Sequence, residues 1–126
     1  MLTAMRDFKK LRVWQLAHAL TLAIYHDTKS FPPNERYGLV AQLRRASASI
    51  ASNIAEGAGR RSPAEYSRFL DIALASGNEV EYQLLLARDL GYLVPSTHAE
   101  RSEQAISVRR GCFKLQQTIL ADARDS

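Results

Sequence analysis

The residues best suited to chemistry lie in the run Gly57-Ala58-Gly59-Arg60-Arg61-Ser62-Pro63. It joins glycines, two guanidinium groups and the start of a helix. Free amides and the positive end of a helix dipole favour anions, and arginine clamps phosphate through paired hydrogen bonds. The Gly-Lys-Ser/Thr ending of a nucleotide-binding loop is absent. Two readings are open: a phosphate-binding turn, or a helix-to-helix turn with left-handed glycines and solvated arginines. Further cations cluster at Lys9, Lys10 and Arg12, at Arg44 and Arg45, and at Arg109, Arg110 and Lys114. The formal net charge of +4 permits an acidic partner, though a patch rather than a total is diagnostic. Arg44, Arg45, Arg60, Arg61, Arg109 and Arg110 are the candidate nucleic-acid contacts, with phosphates as their targets. Aromatic residues are not interleaved with these charges, so base-specific reading of a single strand is not expected.

Catalysis finds little support. The three histidines, His18, His26 and His98, are not paired in a Glu-x-x-His arrangement. A di-metal carboxylate bundle needs inward Glu and His at that spacing. Glu79 and Glu81 cannot both face inward, because helix positions two apart diverge. Cys112 falls on an apolar seam, where cysteine behaves as a small hydrophobe. The serines of the second helix lie in no nucleophile elbow and have no evident base. No enzyme activity, metal or cofactor is expected.

Asn53, Glu56 and Glu79 form a polar group on helices otherwise built from small residues. Buried polar groups must find partners or lose solvation free energy. They form either an internal hydrogen-bond network or a contact with Arg45 or Arg60 of a neighbouring subunit.

The elements that position these residues are helices. With 126 residues, one domain over 1–126 is expected. Apolar residues recur at helical spacing in four segments, about 8–28, 35–57, 63–91 and 97–121. In the first, Val13, Leu16, Ala17, Leu20 and Ile24 share a face. Ser30-Phe31-Pro32-Pro33-Asn34 ends it, since proline lacks the amide donor. Leu39, Leu43, Ala46, Ile50 and Ile54 mark the inward stripe of the second, whose Ala-Ser-rich length suits close packing. Ser62-Pro63-Ala64-Glu65 and Thr97-His98-Ala99-Glu100 read as capping boxes. Phe69, Ala73, Val80, Leu84 and Ala87 line the third helix, and Gly91 terminates it in left-handed geometry. Ala105, Val108, Cys112, Leu115 and Ile119 form a heptad-like seam in the fourth. Asp122-Ala123-Arg124-Asp125-Ser126 is expected to fray. Short connections between long helices predict an all-α, antiparallel up-down-up-down four-helix bundle. A single cysteine excludes an internal disulfide. No apolar run has the length of a membrane span or signal sequence, so a cytoplasmic protein without membrane contact is expected.

Trp14-Gln15-Leu16-Ala17-His18 opens a likeness that covers about Phe8 to Leu120. It continues through Tyr25-His26-Asp27-Thr28-Lys29-Ser30-Phe31-Pro32 and Glu35-Arg36-Tyr37-Gly38-Leu39. The strongest runs are Gln42-Leu43-Arg44-Arg45-Ala46 and Ser52-Asn53-Ile54-Ala55-Glu56-Gly57, followed by Gly59-Arg60. Phe69-Leu70-Asp71-Ile72-Ala73 and Leu90-Gly91-Tyr92-Leu93 extend it. In these residues the chain resembles the 23S rRNA intervening-sequence proteins. It departs from them at Ala75-Ser76-Gly77-Asn78, where relatives carry Gly-Ser and a larger apolar residue. Gly77 is then read as a close helix crossing or a bend. The resemblance implies a four-helix bundle assembled as a ring-like homopentamer. It also implies likeness to the accessory protein of diversity-generating retroelements, whose basic surface binds nucleic acid and a reverse transcriptase. The sequence supports two functional readings: a non-enzymatic homo-oligomer that binds RNA or DNA without sequence specificity, or a protein-interaction scaffold that binds none.

Overall fold

The computed structural model describes residues 6–125. Residues 1–5 and 126, which the expected domain and the C-terminal tail include, lie outside the described residues. The chain is all-α: four helices run α1 (Arg12–Thr28), α2 (Leu39–Ala58), α3 (Pro63–Asp89) and α4 (Pro95–Asp125). No strand occurs among the described residues. Short connections turn each helix back on the last, giving the antiparallel up-down-up-down bundle. Each helix packs on its two neighbours, and α4 closes the ring against α1.

The core follows the predicted stripes with informative exceptions. Leu39, Leu43, Ala46, Ile50 and Ile54 are all buried, as are Ala17, Leu20 and Ile24. Leu16 and Phe69 are half-buried, and Tyr66 takes the inner place ahead of Phe69 at 1% exposure. In α4 the inward positions include Gln116 rather than Leu115. Positions 105, 108, 112, 116 and 119 are three or four residues apart, so they share one inward face of α4. Gln116 is tolerated inside because its amide donates to Ser67 O, Ser67 Oγ and Asp71 Oδ1 at 3.0, 3.1 and 2.7 Å.

Several helix ends differ from the sequence expectation. Phe8–Lys10 is a separate 3-10 turn, broken from α1 by extended backbone at Leu11. The break lets Phe8 pack edge-on against Trp14, with ring centroids 5.0 Å apart. The second helix begins at Leu39, because Pro33–Glu35 forms its own 3-10 turn. Glu35 Oε1 then accepts from the free Leu39 amide at 3.3 Å, while Oε2 accepts from Tyr92 Oη at 2.9 Å. Ser62 caps α3 as expected, its hydroxyl accepting from the Glu65 amide at 3.1 Å. Thr97 caps nothing: α4 already starts at Pro95, whose fixed φ suits a first helical position. The far end of α4 stays helical to Asp125 instead of fraying at Asp122.

One ion pair is largely withdrawn from water. Arg101 grips Asp27 through Nε and Nη2, at 2.6 and 3.2 Å, with side chains 13% and 10% exposed. It joins the end of α1 to the start of α4.

Two glycines in helix interiors have opposite meanings. A Cβ on Gly111 would lie 2.8 Å from Val13 Cγ2 and 3.1 Å from Val13 Cβ, so α4 and α1 touch there only without a side chain. A Cβ on Gly77 would meet nothing within 4 Å, which excludes the close crossing expected from its sequence position. Gly111→Ala is expected to destabilise by about 1–3 kcal/mol through overpacking. Gly77→Ala is expected to stabilise by about 0.5–1 kcal/mol through helix propensity. Urea unfolding of both variants measures the signs; a shared sign would contradict the packing described.

Candidate nucleic-acid interface

The turn between α2 and α3 is built by a helix contact. Gly57 is buried, and a Cβ there would lie 3.0 Å from Tyr66 Cδ1 and 3.1 Å from Phe69 Cβ. The glycine is there for close approach. Its neighbour Gly59 has φ −86°, and the only left-handed glycine among the described residues is Gly91 at φ 80°. The expectation of left-handed glycines in this turn is therefore incorrect. The amides of Gly59 and Arg60 donate to Glu56 O and Gly57 O at 3.1 and 3.0 Å, closing the helix end.

Guanidinium groups from three places in the sequence meet at this turn. Arg6 donates to Arg60 O and Arg61 O at 2.5 and 2.9 Å, across 54 and 55 residues. Arg60 lies over the Phe69 ring at 4.7 Å and pairs with Glu56 at 2.9 Å. Arg68 approaches the same ring at 5.7 Å. Arg61 is exposed and has no ion pair among the described residues. Sequence reasoning missed Arg6, which no local pattern links to the turn. Arg68 and Phe69 stand nearly two helical turns beyond the Ser62 cap.

The other four candidate arginines lie elsewhere. Arg44 donates through Nε to Thr28 Oγ1 at 2.9 Å and through Nη2 to Tyr25 O at 3.3 Å, with its guanidinium 4.7 Å from the Tyr25 ring centroid. It sits toward the opposite end of α2, about 24 Å from Arg60 at 1.5 Å per residue. Arg45 faces Glu79 of its own chain at 3.5 Å, both side chains well exposed. Arg109 donates through Nε to Glu81 at 3.0 Å. Arg110 is exposed and has no ion pair among the described residues. Aromatics do accompany cations in space: Arg36 on Tyr37, Arg44 on Tyr25, and Arg60 and Arg68 on Phe69. Arg36 and Arg68 adjoin their aromatic partners in sequence, whereas folding brings Arg44 to Tyr25 and Arg60 to Phe69, which corrects the expectation of no interleaving.

The family model for the 23S rRNA-intervening sequence protein matches residues 9–113. The chain belongs to this family. Among solved structures it is similar to a protein of unknown function from the S23 ribosomal protein family of Bacteroides thetaiotaomicron VPI-5482. The TM-score is 0.77 at 22% identity, covering 83% of this chain and 95% of that one. At that identity the likeness speaks for the fold. No curated protein matches the chain.

In this family member the polar group expected at Asn53, Glu56 and Glu79 bonds in three separate places. Half-buried Asn53 donates to Ser49 O and Ser49 Oγ at 2.8 and 3.0 Å. Ser49 Oγ in turn meets Ser76 Oγ at 2.9 Å, linking α2 to α3. Glu56 belongs to Arg60, and Glu79 to Arg45 and Gln83. Gln83 is 4% exposed, and its Oε1 has no hydrogen-bond donor among the described residues. Among the described residues no three His, Cys, Asp or Glu side chains are grouped to hold a metal, and no helix is long and apolar enough to cross a membrane.

Two buried groups hold their protons tightly. Burial pushes the Cys112 thiol up to about 12. Burial also pushes Tyr66 up to about 12, against a smaller lowering by Arg6. Both acids are therefore weaker folded than unfolded, where they ionise near 9.0 and 10.0. The stability they contribute is complete below pH 9.0 and is lost as pH rises toward about 12. The urea midpoint should fall over that range, and Cys112 should resist a thiol reagent at pH 8 until denaturant is added. Labelling of the folded protein at the rate of a free thiol would contradict the burial.

Proposed function

We propose that this protein is a non-enzymatic, cytoplasmic homo-oligomer that binds nucleic acid through phosphate contacts, without base-sequence preference. The gathering of Arg6, Arg60, Arg61 and Arg68 at one end of the bundle carries this reading. It is a patch rather than a scatter of charge, and among the described residues Glu56 is the one carboxylate paired within it. Arg6 raises the local field without occupying the phosphate-facing groups of Arg60 and Arg61, because it binds their backbone carbonyls. Of the remaining candidates, Arg110 is open to solvent, whereas Arg44, Arg45 and Arg109, like Arg60 with Glu56, already have partners that a phosphate would have to share. The family resemblance to proteins with basic, nucleic-acid-binding surfaces points the same way.

Self-association is supported by the outer face of α2. Ala41, Ala48, Ser52 and Ala55 leave a shallow, small-residue surface beside Arg45 and Glu79. A second copy of the chain would cover this face, and the resemblance implies five copies in a ring. Ser52→Arg should lower the mass measured by analytical ultracentrifugation and leave the thermal midpoint of the subunit little changed. A parent protein already sedimenting as a monomer would overturn the assembly.

Binding should weaken with salt, because each neutralised phosphate releases counterions, with a logarithmic slope of about −0.9 per contact on duplex. Filter retention of duplex and single-stranded RNA at several salt concentrations measures this. Arg60→Ala/Arg61→Ala is expected to flatten the duplex slope by about two contacts, and adding Arg44→Ala/Arg45→Ala to flatten it only slightly further. Equal retention by parent and double variant would remove these arginines from the interface. A parent that retains no nucleic acid would leave the protein-scaffold reading in its place.

A further inference from the structure

The cleft between α3 and α4 combines an unclaimed aromatic face with guanidinium groups. Leu74 and Asn78 from α3, and Arg109, Arg110 and Phe113 from α4, line it. Positions 109 and 110 stand four and three residues before 113, so all three side chains share one face of α4. Phe113 is 54% exposed. An exposed phenyl ring on a soluble surface is unremarkable alone, but here its surroundings are distinctive. Phe8 is engaged by Trp14 and Lys9, Tyr25 by Arg44, Tyr37 by Arg36, and Phe69 by two arginines. Phe113 has no ring or cation over it among the described residues. Tyr82, also exposed, lies on α3 next to Glu81 and lines no part of this cleft.

The electrostatics of the cleft favour an anion. No carboxylate lines it. The neighbouring groove between α1 and α4 also reaches Arg110, but Glu100 and Glu103 line that one. Arg109 spends Nε on Glu81, and its Nη edge has no bond among the described residues. Arg110 has no ion pair. Leu74 supplies an apolar floor, and the Asn78 amide supplies one donor and one acceptor at the rim, a set suited to the edge of a base.

We propose that Phe113 is a stacking platform for one unpaired base of a single-stranded nucleic acid, with the adjoining phosphate on Arg110. The phenyl ring stacks on the base and is indifferent to its identity, because every base presents a π-face. Arg110 neutralises the backbone, and Arg109 shares the same phosphate from its outer edge. Duplex cannot use the platform, since its bases are already stacked. The site thus adds a preference for unpaired strands to the phosphate binding proposed above, and it rests on that reading.

The test uses the full chain with 20-nucleotide oligo-U, oligo-dT and a duplex of equal length, in fluorescence anisotropy across a salt series. Phe113→Ala is expected to weaken both single strands on the order of tenfold, with the salt slope and duplex affinity unchanged. Phe113→Trp should restore single-strand binding. Arg110→Ala should flatten the single-strand slope by about 0.7, the value for one lost contact. Weakening of oligo-U alone would place the ribose 2′-hydroxyl at the site, and equal weakening of oligo-dT would place base and phosphate there. If the parent binds with a clear salt slope but Phe113→Ala matches it on single strands, the platform falls and the phosphate interface stands. If the parent binds none of the three, both fall. A change in sedimenting mass with Phe113→Ala would make the ring a subunit contact and overturn the proposal.

Discussion

The close approach of α2 to α3 at Gly57 is the constraint on which the cationic end depends. With hydrogen in place of a side chain, the helix backbone settles against Tyr66 and the base of Phe69. Any Cβ would require a neighbour to move by a few tenths of an ångström. That contact holds Phe69 where Arg60 can cover it, and it sets the exit path on which Arg60 and Arg61 lie. The same tightness recurs one level up, where the Ser49 and Ser76 hydroxyls meet. Small residues thus do more than fill space: they fix the separation of two helices and hence the spacing of charges at their ends. Burial of Tyr66 under this contact explains both its place in the core and the difficulty of ionising it.

Charge is handled differently across the surface. Most ion pairs here are exposed and contribute little to stability, because water screens them and ordering long side chains costs entropy. Arg45 with Glu79 is of this kind. Arg44 is held by a carbonyl, a hydroxyl and a ring rather than by a carboxylate, so its positive charge survives while its position is fixed. Arg6 does the same at the other end by binding carbonyls. At these two positions neutral acceptors fix a guanidinium without cancelling its charge.

The helical architecture was legible because apolar spacing, two prolines between α1 and α2, and the Ser62 cap all agree. Helix starts were less legible where competing signals lay within four residues. Glu35 looked like a helix start and instead caps the helix from outside, while Thr97 looked like a cap and lies two residues inside a proline-led helix. Gln116 was unreadable as a core residue because only tertiary contacts with Ser67 and Asp71 satisfy its amide. At the candidate interface, Arg60 and Arg61 stood out beside their glycines. Arg6 did not, since nothing in sequence brings two segments 54 residues apart together. Pairings such as Arg109 with Glu81 depend on the rotation of two helices about their axes, a quantity that composition and periodicity leave open to within a residue.

The clasp of Arg101 on Asp27 has a kinetic side. Its partners are separated by 74 residues, whereas successive helices meet through short turns. Hairpins α1–α2, α2–α3 and α3–α4 can each assemble from nearby segments, but the circle shuts only when the outermost two rods find one another, at the greatest loss of chain freedom. On loop-closure entropy alone, that seam is the costliest of the four to shut and, once parted, the costliest to re-form.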